Sequence, residues 1–331
     1  MVRVLVAGII AMVVSIVAGP KFIEFLRSNE FGQHIREEGP ERHAVKQGTP
    51  TMGGLLVVVT ATLSFLAVSK YTVPALAVMF TALACGAIGF ADDFIKLTHR
   101  RSLGLSGRWK LVLLGLVTVG VSLAARHQQL PTDMKIPIVH FNLQLSYAWY
   151  GLLFFVIAGA TNGVNLADGV DGLAAGTGII ALLAFTLINV VAFIRLRFDT
   201  KLDMAIAGAA LIGALVGFLW YNAFPAEVFM GDTGAMAVGG ALAALAIFTQ
   251  TTFLLLLIGG IFLIEALSVI VQVFTFKYLG RRVLLMAPIH HHFEMKAWSA
   301  TKIMVRFWIV TAILCATGFA LYYRDFLYFT R

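Results

Sequence analysis

Ten long stretches that are nearly free of charged side chains follow one another along this chain of 331 residues. Because a membrane-spanning helix needs about 20 mostly apolar residues, they predict an all-α polytopic membrane protein. The composition, 60% hydrophobic and 13% charged, excludes soluble, disordered, collagen-like and coiled-coil folds, which need more charge, polar surface or a repeat. The predicted spans run approximately over residues 4–20, 53–69, 72–91, 111–125, 148–166, 173–194, 204–221, 235–250, 253–276 and 303–323.

Two of these assignments have alternatives. The eighth and ninth spans come from one charge-free run, 233–264, which is too long for a single helix, and we divide it at the polar residues 249–252 (TQTT). A cleaved signal peptide is the alternative for the first span. Its basic region is only Arg3, however, and no clear small-residue cleavage site precedes Gly19-Pro20. We therefore expect a helix there.

The basic residues predict the topology. An even number of spans places both termini on the same side of the membrane. In this arrangement one face receives 16 of the 25 lysines and arginines, and the other face receives the remaining 9. Cytoplasmic loops carry the excess of basic residues, so we expect both termini on the outer side. Membrane topology then explains the net charge of +8, and a nucleic-acid partner is not needed to explain it.

The predicted outer face carries few candidate functional residues. Its longest loop, 126–147, contains an alternating stretch from Ile136 to Leu145 that predicts a small hairpin. No segment is long enough to fold as a separate soluble domain, and there is no convincing internal repeat of the transporter kind. We expect residues 1–331 to form a single integral membrane domain.

Carboxylates gather on the predicted inner face, which receives 12 of the 17 acidic residues. Four acids lie on the outer face, and Glu265 lies within the ninth span. A carboxylate beside lipid is costly unless it is paired or bound to a cation. Three inner groups of polar residues and a run of histidines are therefore candidate functional sites.

The first group, Asp92-Asp93-Phe94-Ile95-Lys96, ends the third span. If the helix continues, Asp92 and Lys96 form an i, i+4 pair, while Asp93 points about 100° away. A solvated helix end with one salt bridge explains this motif as well as a functional site does.

The second group, 162–172 (NGVNLADGVDG), ends the fifth span. Asn162, Asn165, Asp168 and Asp171 recur at every third residue, so a helical backbone would align them, and the glycines would let a ligand approach the backbone closely. The stretch lacks the ligand spacing and terminal Glu of an EF-hand. A plain turn would need fewer polar residues.

The third group, 221–234, lies between the seventh and eighth spans and contains Asn222 and Asp232. Asp232 or Thr233 can serve as the N-cap of the eighth helix. Capping would explain one acid. It would not explain why an Asp and an Asn again reach the same membrane face.

Three consecutive histidines, His290, His291 and His292, lie in the inner loop after the ninth span. Adjacent side chains on a helix point about 100° apart, so the three rings cannot converge on one metal ion. Hydrogen bonding to phosphate, or a role as general acid, fits them better. A merely solvated loop is the alternative.

Together these groups predict phosphate chemistry. Hard oxygen ligands from separate inner loops, flanked by Lys96, Lys110, Arg281 and Arg282, suit a polyanionic substrate held with Mg²⁺. The inner loops contain no P-loop or Gly-rich phosphate motif, which counts against an ATP-driven pump. A secondary transporter would place its polar residues at mid-membrane, where only Glu265 lies.

With these motifs in this order, the chain resembles the phospho-N-acetylmuramoyl-pentapeptide transferase family of the polyprenyl-phosphate N-acetylhexosamine-1-phosphate transferase superfamily. The resemblance covers essentially the whole chain. Its motifs are residues 43–54 (HAVKQGTPTMGG), 92–96, 162–172, 222–232 and 288–294. The motif at 92–96 is shared by the superfamily, whereas 46–54 and the triple histidine are typical of the muramoyl-pentapeptide branch.

This resemblance implies transfer of phospho-N-acetylmuramoyl-pentapeptide from its UDP carrier to undecaprenyl phosphate, with release of UMP. It also implies Mg²⁺ dependence, ten helices and a homodimer in the bacterial cytoplasmic membrane, with the site facing the cytoplasm. The nearest alternative is a sister enzyme that transfers another UDP-sugar phosphate, such as N-acetylglucosamine phosphate. A more distant alternative is an anion transporter.

The family's functional positions fall on the groups described above, and Asp232 matches its metal-binding Asp. The predicted catalytic residues are Asp92, Asp93, Asp232, His290 and His291, and the predicted substrate-binding residues are Lys46, Lys96, Lys110, Asn162, Asn165, Asp168, Asp171, Asn222 and His292.

Overall fold

The computed structural model describes residues 1–29, 48–99, 104–137, 139 and 141–329, and these are helical apart from one short hairpin. The helices are α1 (Val2–Ser28), α2 (Gly54–Val68), α3 (Val73–Thr98), α4 (Gly107–His127), α5 (Ala148–Ala167), α6 (Leu173–Leu196), α7 (Asp199–Asn222), α8 (Gly231–Phe248), α9 (Leu255–Ile258), α10 (Gly260–Leu279), α11 (Ile289–Met295) and α12 (Ala300–Phe329). The strands are β1 (Asp133–Ile136) and β2 (Phe141–Gln144).

The predicted membrane spans are helices. In the described part of the chain, nine helices are long and apolar enough to cross a membrane, so the protein is a multi-pass α-helical membrane protein. The second predicted span is α2, whose 15 residues make it shorter than the others. The predicted division at 249–252 is confirmed, because α8 ends at Phe248 and a 3₁₀ turn begins at Thr252. A hairpin is also present in the loop for which one was predicted, with Asp133 paired to Gln144, although its first strand lies before the predicted stretch and ends at Ile136.

The structure differs from the sequence pattern at two points, within the ninth predicted span and in the turn after the fifth. The ninth predicted span is divided between the 3₁₀ turn, α9 and α10, with an interruption at Gly259. Glycine has a low helix propensity and a flexible backbone, so an interruption of the helix costs little there. Helix α5 ends at Ala167, so the three-residue spacing of polar side chains is helical only at Asn162 and Asn165. Asp168 and Asp171 lie in the following turn, which ends at Gly172 with a φ of 71°.

Helix α8 forms the centre of the bundle and is buried along almost its whole length. It packs chiefly against α3 and α5. Its many Gly and Ala residues permit this close packing; for example, a Cβ added at Gly239 would lie 2.5 Å from the carbonyl oxygen of Ala160 on α5. The beginning of α8 therefore meets the ends of α3 and α5.

Candidate active site

A cluster of three carboxylates lies where α3 meets α8. Asp92 and Asp93 lie near the end of α3, and Asp232 lies in the first turn of α8. Each of the three residues offers a carboxylate oxygen within 4.8 Å of the others, and among the described residues this is the one group of three or more acidic, His or Cys side chains that can hold a metal ion. Asp92 and Asp93 are buried.

Two lysines lie between these carboxylates. The Lys96 ammonium is 2.6 Å from Asp92 Oδ2 and 3.2 Å from Asp232 Oδ2. The Lys110 ammonium, from α4, is 3.1 Å from Asp92 Oδ1 and 2.9 Å from Asp232 Oδ2. The predicted i, i+4 pair is confirmed, and Lys110 lies inside the cluster. Because three carboxylates face two ammonium groups, the charged cluster retains one net negative charge, which favours a further cation.

Asp93 has a different role from Asp92. It lies on α3 and caps the neighbouring helix α8. Its carboxylate accepts hydrogen bonds from the backbone N–H of Asp232 at 3.2 Å, and from the N–H and the hydroxyl of Thr233 at 2.9 and 2.8 Å. Asp168 accepts a bond from the N–H of Gly231 at 3.0 Å. The first three backbone amides of α8 therefore donate hydrogen bonds to carboxylates of other segments. The negative charges of these carboxylates also interact favourably with the positive end of the helix dipole.

This capping corrects one sequence-based alternative. The residue at the N-cap of α8 is Met230, and no side-chain cap comes from that residue. Asp232 and Thr233 both lie inside the helix, so neither is its N-cap. Asp232 is thus left with its carboxylate directed to Lys96 and Lys110.

The polar residues of the second and third groups join two loops. Asp171 accepts a bond from the N–H of Ala226 at 3.1 Å. The buried Asn222 accepts one from the N–H of Gly172 at 3.1 Å and donates one to the carbonyl oxygen of Val228 at 2.9 Å. These bonds fix the turn after α5 against the loop before α8. Roles for Asp171 and Asn222 in substrate binding stay predictions.

Asn162 and Asn165 lie near the end of α5, on the approach to the same turn. Asn162 donates to the carbonyl oxygen of Ala158 at 2.8 Å, and both asparagines are only partly buried. They are therefore accessible to a ligand. Lys46 lies outside the described residues.

The three histidines lie on the short helix α11. The rings of His290 and His291 are in contact, with centroids 4.1 Å apart, but each Nδ1 has a different partner. Nδ1 of His290 is 3.1 Å from Glu265 Oε1, and Nδ1 of His291 is 2.5 Å from Glu294 Oε2. Nδ1 of His292 accepts the N–H of Leu285 at 3.0 Å.

Of the three, His290 is fully buried. Burial and the nearby charge of Lys296 lower the pKa of His292, which agrees with a neutral ring that accepts at Nδ1.

Sequence patterns missed two features of this site. The partner of His290 is Glu265 of α10, whose position inside an apolar span is itself a sign of function. The second feature is the backbone N–H of Leu105, which donates to Asp92 Oδ1 at 2.6 Å. No residue pattern indicates that bond, because it depends on the backbone before α4.

A carboxylate–lysine cluster at the helix ends of a membrane bundle can hold phosphate groups and a divalent cation. The model of glycosyl transferase family 4 matches residues 75–250, which include all three carboxylates and both lysines. Signature 1 of the phospho-N-acetylmuramoyl-pentapeptide-transferases matches residues 46–58.

Comparison with full-length relatives identifies the family to which the chain belongs. The chain is 46% identical over 330 residues to the phospho-N-acetylmuramoyl-pentapeptide-transferase of Rubrobacter xylanophilus, covering 98% of each chain. It is 44% identical over 337 residues to that of Desulforudis audaxviator, covering 97% of this chain and 98% of the relative. It is 43% identical over 306 residues to that of Halalkalibacterium halodurans, covering 91% and 92%. The chain belongs to the phospho-N-acetylmuramoyl-pentapeptide-transferase family.

Proposed function

We propose that this protein transfers phospho-N-acetylmuramoyl-pentapeptide from its UDP carrier to undecaprenyl phosphate and releases UMP. The observation that carries the proposal is the partly buried cluster of Asp92, Asp232, Lys96 and Lys110, which lies within the residues that the family model matches. Such a cluster can bind a diphosphate through its lysines and a divalent cation through its carboxylates.

The donor set fits Mg²⁺, which prefers hard oxygen ligands and uses one or two carboxylates together with substrate phosphates. In the cluster, two ammonium groups already lie between the carboxylates, in the kind of position that a bound cation takes. We propose Asp232 as the direct ligand, with Asp92 beside it. Asp93 is less available, because both of its oxygens accept bonds from α8. When bound, Mg²⁺ would offset charge on the diphosphate.

The reaction proceeds in one step. A phosphate oxygen of the lipid attacks the phosphorus that is linked to the sugar, a new P–O bond forms, and the bond from that phosphorus to the bridging oxygen breaks. The electron pair leaves with UMP. The second pKa of a phosphate monoester is about 6, so the lipid phosphate is already mostly a dianion at neutral pH and needs little help from a base.

The residues of the cluster then have distinct tasks. Asp92 lies at the incoming lipid phosphate, and Lys96 and Lys110 offset negative charge on the phosphates as the bond is exchanged. Asp93 keeps Asp232 in place by holding the first turn of α8. His290, His291 and His292 provide contacts to the substrate, and Asn162, Asn165, Asp168 and Asp171 form the nucleotide side of the site.

We also propose that the site faces the cytoplasm of a bacterial inner membrane, that both termini lie outside and that the protein is a homodimer. The excess of basic residues on the face that carries the cluster supports the orientation. The soluble UDP-linked substrate is expected on the same side.

The test is an assay of the purified full-length protein in detergent. UDP-MurNAc-pentapeptide and undecaprenyl phosphate should yield UMP and a lipid-linked product, and chelation of Mg²⁺ should abolish both. Turnover with UDP-N-acetylglucosamine in place of the muramoyl substrate would assign the chain to the sister activity. Absence of UMP with every donor would refute phosphotransfer and favour transport.

A further inference from the structure

One carboxylate within a predicted membrane span is not part of the cluster. Glu265 of α10 is fully buried, and its Oε1 lies 3.1 Å from Nδ1 of His290. An ionisable side chain at such a position is costly unless it is paired. The pair joins the membrane-spanning helix α10 to the short helix α11, which also packs against α12.

The other nitrogen of His290 is left without a partner. Nε2 makes no hydrogen bond to any described residue, although the whole side chain is buried. A buried polar atom without a partner costs about 1–3 kcal/mol, so native proteins rarely leave one unless it has a function.

This nitrogen faces the turn that carries Asp168. A Cβ added at Gly169 would lie 2.3 Å from His290 Nε2. Asp168, the preceding residue, bonds the first amide of α8, and the next residue of α8 is Asp232. Nε2 is therefore directed to the wall of the active site.

We propose that Glu265 is a positioning residue for the transfer reaction. Its carboxylate accepts the Nδ1–H of His290, which fixes the orientation of the ring and keeps Nε2 against the turn at Gly169, next to Asp168, which bonds the first amide of α8. A carboxylate that orients a histidine in this way sets which ring nitrogen faces that turn. The proposal rests on the proposed function, because its first readout is turnover of the UDP-linked substrate.

The first experiment compares Glu265→Leu and Glu265→Gln. Leu removes the acceptor without placing a polar group in the span, whereas Gln retains an acceptor oxygen. We expect Glu265→Leu to lower kcat by about 10- to 100-fold, the range found for the carboxylate partners of metal-ligating histidines, and Glu265→Gln to retain most of the activity. Thr275→Ala, which removes a hydroxyl bonded to the carbonyl oxygen of Val271 on the same helix, is the matched control and should resemble the wild type.

A double-mutant cycle separates positioning from a general effect on folding. If Glu265 acts through His290, Glu265→Leu should cause no further loss in a His290→Ala background. Gly169→Ala supplies an independent perturbation, because its Cβ overlaps Nε2. It should lower kcat in the wild type and be silent in the His290→Ala background. Multiplicative losses in either cycle would refute the proposal.

A spectroscopic measurement does not depend on turnover. In protein labelled with ¹⁵N-histidine, the ring nitrogen signals of His290, assigned with the His290→Ala variant, should shift in Glu265→Leu and stay in place in Thr275→Ala. Unchanged signals in Glu265→Leu would refute the positioning role. If the wild type released no UMP but the ring signals shifted as expected, the proposed function would be wrong. The role of Glu265 in orienting His290 would still be supported.

Discussion

Replacing Asp93 by Asn tests whether this residue supports the active site through the helix cap rather than through the chemistry. The Asp93 carboxylate accepts three hydrogen bonds from the first turn of α8. An amide of the same shape has only one acceptor oxygen, and its NH₂ group would face an N–H donor. At least one buried donor at the start of α8 would then lose its partner.

The magnitude follows from these contacts. An unsatisfied buried donor costs about 1–3 kcal/mol, and loss of a negative charge near a helix N-terminus costs about 0.3–1 kcal/mol. Removal of the charge also relieves repulsion from Asp92 and Asp232, whose oxygens lie within 4.8 Å. We therefore expect the free energy of unfolding of Asp93→Asn to fall by about 2 kcal/mol, with turnover also reduced because Asp232 shifts.

Unfolding in mixed micelles, followed by circular dichroism, measures this change in stability. The control is Asp232→Asn, which removes a charge from the same cluster without touching the amides of α8, and its stability should stay near that of the wild type. An Asp93→Asn protein that is as stable as the wild type but inactive would refute the capping role. Asp93 would then have to be assigned to the metal or the diphosphate.

Other expected outcomes concern the chemistry. Asp232→Asn should lower turnover by at least ~10²-fold, the scale of losing one electrostatic contact in a transition state, and retention of the normal Mg²⁺ dependence would contradict its role as ligand. His290→Ala and His291→Ala should lower kcat at saturating Mg²⁺ by ~10-fold or more with little change in apparent Mg²⁺ affinity, and rescue by added Mg²⁺ would mean that a histidine is a ligand. Without lipid, labelled UMP should not exchange into the UDP-sugar; exchange would indicate a covalent intermediate and two steps.

Features that depend on local sequence were predictable. The spans follow from the length of the apolar stretches, and the pairing of Asp92 with Lys96 follows from helical spacing. In each case a few neighbouring residues fix the geometry, whatever the rest of the chain does.

Features that depend on packing between distant segments were not predictable. Asp93 caps α8 across 139 and 140 residues of sequence, and Glu265 meets His290 across 25. The end of α5 at Ala167 agrees with the predicted span, but the helical alignment of Asp168 and Asp171 does not hold, because the backbone turns at the glycines. No local pattern contains this information, since each feature arises only when the helices meet.

The deep burial of α8 has a consequence for how the site responds to ligands. An amide in a fully enclosed helix exchanges its hydrogen only when the surrounding structure opens, so the α8 amides should be among the slowest in the protein. Helix α11 has seven residues, and a helix that short is not stable by itself. Asp232 therefore lies on a helix whose amide hydrogens should be among the slowest to exchange, and its position should change little. The site would therefore rearrange around α8 when a ligand binds, while α8 itself stays in place.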